Sequence, residues 1–122
     1  AATGCEILSD IRADAMTIFA TIRLSQHRFQ EAEMLLQMAY DAYTQAGDMQ
    51  QLVVVLTLLA DIEQLSGSPV SASYLLFEAR QILDNECDQF RHYRRTVLRK
   101  AIDLRQLDGK LKKTMQTRHS LN

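Results

Sequence analysis

The sequence predicts an all-α protein made of antiparallel helical hairpins. Three observations carry that expectation. Apolar residues recur at spacings of three and four along nearly the whole chain, and strict alternation is nowhere sustained. Only four glycines and one proline punctuate 122 residues, which leaves room for long helices and little for tight β-turns. The chain also matches itself when shifted by forty positions.

Taken in order, the first helix is expected over Leu8–Ser25, with Ile11, Ala15, Ile18, Phe19 and Ile22 on one side. The polar stretch Gln26-His27-Arg28 suits a turn between antiparallel helices. A second helix over Phe29–Ala46 carries Ala32, Leu35, Leu36, Ala39, Tyr40 and Tyr43. Gly47 supplies a left-handed end, and Asp48 followed by Gln51 is a capping-box pattern for a third helix, Met49–Leu65. Gly67-Ser68-Pro69 is the clearest boundary: a glycine stop, a serine able to cap, and a proline suited to the first helical turn. A fourth helix follows over Val70–Leu83. A fifth is expected from Asp88 to about Gln116 with the stripe Phe90, Tyr93, Val97, Ala101, Leu104, Leu107, Leu111 and Met115, unless Gly109 breaks it.

At the shift of forty, seven identities emerge: Thr17/Thr57, Ala20/Ala60, Ile22/Ile62, Ala32/Ala72, Leu35/Leu75, Leu36/Leu76 and Ala39/Ala79. They fall on the expected inward positions of both helices of a hairpin. Two helices approach to about 8 Å only where the contact residues are small. The paired alanines therefore predict flat seams that a lone hairpin cannot bury, so that neighbouring hairpins stack. Lys100 and Lys112 stand where small residues would recur in a third unit, which makes the fifth helix a cap over the second unit's seam.

With Ala20, Ala32 and Ala39 in the first unit, Ala60, Ala72 and Ala79 in the second, and Gly67 in the turn, the chain resembles the tetratricopeptide repeat family over about residues 13–84. It departs from the family in three ways. Met16 and Leu56 replace the usual aromatic, the closing proline is absent, and the period is forty. The phrase from Arg28 to Asp61 looks like the repeat of subunit five of the anaphase-promoting complex. The resemblance implies a short right-handed solenoid in one domain or fragment spanning 1–122, with a first hairpin at 8–46, a second at 49–83 and a basic capping helix at 88–118. It implies a protein-interaction scaffold within a multiprotein complex, with a cell-cycle role if the finer likeness holds. It also implies a concave groove lined by the first helices, at Asp14, Thr17, Thr21, Val54, Thr57 and Asp61, able to receive a peptide.

Composition narrows the alternatives. The 47% apolar and 24% charged content suits a globular chain. No apolar run approaches the roughly 18 residues of a membrane span, and no leader pattern is visible. Cys5 and Cys87 match no metal or redox spacing and read as free thiols of a cytoplasmic or nuclear protein. A chain that begins with Ala1 reads as a cut or processed piece.

The net charge of −1 hides an asymmetry. Four basic residues face twelve acidic ones up to Glu86, and ten face three from Cys87 onward. Arg91, Arg94, Arg95, Arg99 and Lys100 could bind an acidic partner, lie solvated, or match the acidic repeats internally. Nucleic acid is a further candidate, because neutralising phosphates needs only clustered Arg and Lys.

His27, His92 and His119 are scattered. Glu31/Glu33 and Asp61/Glu63 are spaced i,i+2 and do not share a helix face. No Gly-rich phosphate loop is present. The expectation is a non-enzyme with no metal or cofactor, and the alternatives are a regulatory module binding a peptide or small effector and a nucleic-acid accessory.

Overall fold

A computed structural model describes residues 4–121 apart from 87 and 89, and the side chains of 11–115 with the same two exceptions. Among the described residues the chain is all-helical, without a strand: α1 (Gly4–Ser25), α2 (Phe29–Ala46), α3 (Met49–Leu65), α4 (Pro69–Asn85) and α5 (His92–Leu121). Helix α1 packs along α2, and α3 along α4. Helix α3 also lies on α2, while α5 lies on α4 and α3.

The turns show why the helices stop where they do. His27 takes a positive φ of 60° between α1 and α2, and its ring meets Phe29 edge-on at 5.7 Å. Gly47 sits at φ 71°, a conformation that costs residues with a Cβ about 1–2 kcal/mol. There the Gly47 and Asp48 amides donate to the Thr44 and Tyr43 carbonyls that α2 leaves unpaired.

Asp48 Oδ1 caps α3 by accepting from the Gln51 amide at 3.2 Å. Only half of the expected capping box forms, because the Gln51 side chain points to Asp14 on α1 at 3.4 Å. At the next boundary Pro69 opens α4, but Ser68 makes no side-chain cap bond. Gly109 does not break α5. A glycine inside a helix costs only about 1 kcal/mol relative to Ala, which the helix on either side outweighs.

The forty-residue repeat is visible in burial. Helix α2 buries Ala32, Leu36, Ala39 and Tyr43, and α4 buries Ala72, Leu76, Ala79 and Leu83, each forty positions on. Ala20 and Ala60 are buried too, so all six seam alanines are inside. Helix α3 is apolar nearly all round, with Leu52, Val53, Val55, Leu56, Leu59, Ala60 and Ile62 buried. An all-round apolar helix belongs in the middle of a fold. It has α2 on one side and α4 on the other, with α1 and α5 flanking.

The end helices differ from expectation. On α1 the packed side is Ala13 and Ala20 with Met16 and Leu24, while Ile11, Ile18, Phe19 and Ile22 lie exposed. The physical reason is the position of the helix at one end. The equivalent face of α3 (Leu58, Leu59, Ile62) is covered by the preceding helix, and among the described residues no helix lies against this face of α1.

On α5 the correction is larger. Leu98 and Ile102 are buried, together with Phe90 ahead of the helix, while Tyr93, Val97, Leu104, Leu107, Leu111 and Met115 are exposed. Tyr93, read from sequence as core, is 80% exposed. Helix α5 lies on α4 and α3 with the face opposite the longer apolar stripe.

Candidate interaction surfaces

The six groove positions do not form one open surface. Asp14 is exposed at the α1–α2 junction, where it accepts from the Tyr43 hydroxyl. Thr17 and Thr21 donate back to the carbonyls of Ala13 and Thr17, each at 2.9 Å. These three follow one another at helical spacing along α1 and keep a polar edge. In the second unit, Thr57 is buried and donates to the Val54 carbonyl at 2.7 Å, and Val54 is half-buried. Asp61 is clamped by Arg105 of α5 through two bonds, Nε to Oδ1 at 2.8 Å and Nη2 to Oδ2 at 3.0 Å. A planar guanidinium matches a carboxylate in this bidentate manner.

That clamp belongs to a wider electrostatic match between α5 and the hairpins. Arg99 reaches Asp84 at 2.6 Å, and Arg95 approaches the same carboxylate at 4.0 Å while donating to the Leu83 carbonyl at 3.3 Å. In the reverse sense Arg80 of α4 engages Asp103 and, at 2.8 Å, Gln106. Within α5, Lys112 pairs with Asp108 at 3.0 Å. So Arg95 and Arg99 face inward to their own chain. Arg91, Arg94 and Lys100 are exposed, and Arg94 and Lys100 make no ion pair among the described residues. The charge asymmetry in the sequence is thus partly an internal fit and partly a residual positive surface.

Two tyrosines that the sequence marked only as apolar-stripe residues act as polar ties. The Tyr40 hydroxyl donates to Glu78 Oε1 of α4 at 2.8 Å, joining the two hairpins. That bond, followed by burial, raises the Tyr40 pKa. Burial, followed by the bond to Asp14, pushes Tyr43 up to about 12. Their three-residue spacing was the one available signal, since it places both hydroxyls along one side of α2.

A cleft of about 650 Å³ opens where α5 diverges from the start of α4, lined by Gln64, Pro69, Val70, Leu76, Gln106 and Lys110 among others. It combines apolar walls with one basic rim and gathers no set of acid, base and nucleophile. Among the described residues no three His, Cys, Asp or Glu side chains group as metal ligands, and no helix is long and apolar enough to cross a membrane. His27 lies in the first turn and His92 at the exposed start of α5. The side chains of Cys5, Cys87 and His119 lie outside the described residues.

No known family model, curated protein or solved structure matches the chain.

Proposed function

We propose that the chain is a non-catalytic scaffold of a multiprotein complex, a short tetratricopeptide-like right-handed array whose two ends are surfaces for other proteins. The observation that carries this reading is a buried core beside extensive exposed apolar surface, on α2 and α4 (Met34, Met38, Tyr74, Phe77) and at both ends. Ile11, Ile18, Phe19 and Ile22 line one end, and Tyr93, Val97, Leu104, Leu107 and Leu111 line the other. Contiguous apolar surface of this kind on a folded chain marks sites of association. A likeness to the repeat of subunit five of the anaphase-promoting complex would place the chain in cell-cycle machinery, inside the cytoplasm or nucleus.

The test is affinity purification of the tagged chain from cells, read by mass spectrometry. Stoichiometric co-purification of defined proteins is expected. Recovery of the chain alone, or of nucleic acid in place of protein, would count against the scaffold reading.

A further inference from the structure

We infer that the open face of α5 receives an acidic amphipathic helix from a partner protein, which completes a third hairpin with α5 as its first helix. This rests on the scaffold reading above and specifies what one end of that scaffold binds.

The placement of α5 is the first ground. Helix α3 lies on α2 and touches α1, and α5 lies on α4 and touches α3, so each stands in the same relation to the hairpin before it. At the shift of forty, matching positions face the preceding hairpin, but only Ile102 keeps an apolar residue. Val55, Leu59 and Ile62 on α3 are buried, and their counterparts on α5 are Arg95, Arg99 and Ile102. Arg95 and Arg99 hold the end of α4, and Ile102 is wholly buried.

The other face of α3 packs as α1's does. Ala13 and Ala20 on α1, and Val53 and Ala60 on α3, are buried in hairpins with α2 and α4. Forty residues beyond Val53, Thr57 and Ala60 lie Tyr93, Val97 and Lys100, followed by Leu104. That is the exposed stripe, and among the described residues no helix covers it.

Charge decides the occupant. Lys100 stands where Ala20 and Ala60 are buried in the complete hairpins, and Arg94 borders the same stripe. Neither pairs with an acidic side chain among the described residues, whereas both described acidic residues of α5, Asp103 and Asp108, are already engaged by Arg80 and Lys112. A second copy of α5 would bring like charges together across the contact. A helix with carboxylates flanking its apolar face would pair them, since a lysine stem lies along apolar surface while its head reaches the edge. The first hairpin already contains such a pairing: Arg23 of α1 meets Glu31, at the edge of the buried face of α2, at 3.2 Å.

The probe is the α2 segment itself, Phe29–Ala46, as a fluorescein-labelled peptide. It is a second helix of the right type, carrying Glu31, Glu33 and Asp41 and no Lys or Arg. Anisotropy titration into the intact chain should show saturable binding. Lys100→Glu and Leu104→Glu should each weaken it about tenfold, the scale of one lost charge pair or apolar contact, with unchanged thermal midpoints because both positions are exposed. A peptide with E31Q, E33Q and D41N should bind more weakly to the unaltered chain and regain ground on the Lys100→Glu variant.

Absence of saturable binding, equal binding of the charged and neutral peptides, or a dimer in sedimentation that Leu104→Glu dissolves would each overturn the inference. So would tight duplex DNA binding that Lys100→Glu abolishes. If cellular partners co-purify equally with Leu104→Glu, the α5 assignment fails and the scaffold reading stands. If nothing co-purifies with the unaltered chain, the scaffold reading fails.

Discussion

Replacing Ala39 or Ala79 with leucine tests the packing on which every other statement about this fold depends. Both alanines are wholly buried, in the middle of α2 and α4. Three added carbons would contribute about 2 kcal/mol if a void waited for them. Here each methyl group is wholly buried between helices, and helices that meet across alanines approach closely enough to leave little room for a longer side chain. The helices must separate or the leucine must leave its preferred rotamer, a cost of about 1–3 kcal/mol.

For a 122-residue chain the unfolding entropy is about 0.26 kcal/mol per degree. The expected fall in melting temperature is therefore about 4–12 °C. The control is Thr17→Ala, which removes a half-buried hydroxyl that donates to the Ala13 carbonyl of its own helix and also interacts with the Tyr43 hydroxyl; the bond within the helix does little for it and alanine is the better helix former, so the midpoint should move less than in the leucine variants. Circular dichroism melts of the three variants check this. Coincident curves would refute the close approach of the hairpins.

Arg105→Met should cost about 1–2 kcal/mol, because it strands the half-buried Asp61 carboxylate, and a double-mutant cycle with Asp61→Asn in urea should show losses smaller together than in sum. Gly109→Ala should raise stability by about 0.5–1 kcal/mol, since the added Cβ meets Gln64 Oε1 at an unstrained 3.8 Å and α5 runs through this position as regular helix. Tyr43 holds its proton to about pH 12 when folded, against about 10 for an unperturbed tyrosine. Between these values the unfolded chain binds fewer protons than the folded one, so its contribution is complete below pH 10 and is lost as pH rises through 12. Urea midpoints at pH 9 and 11 should fall less for Tyr43→Phe than for the unaltered chain.

The interior was legible because one signal, the forty-residue shift, reports on contacts that both hairpins share. Ala32, Leu36 and Ala39 could be assigned inward because Ala72, Leu76 and Ala79 repeat them, and the same pairs are buried. The ends were not legible for the same reason. On α1 and α5, periodicity finds an apolar stripe but does not say which of two faces has a neighbour. The longer stripe of α5, Tyr93 to Met115, is the uncovered one, and the shorter Leu98–Ile102 face is inside.

Lys100 was noticed as a break in the repeat, and its exposure follows from the empty place beside it. The groove positions came from the family resemblance, carried across both units by the shift of forty. In the second unit, Asp61 meets Arg105 of α5 from forty-four residues away, a pairing that no local spacing encodes.

The length of α5 has a mechanical consequence. It runs for 30 residues, while α4, on which it rests, has 17. Beyond Gln106, which Arg80 of α4 holds, α5 continues to Leu121 for about 22 Å. A rotation of about 10° at that point would sweep the tip through about 4 Å, so small rearrangements among Asp61, Arg80 and Arg105 would be magnified at the far end of the helix.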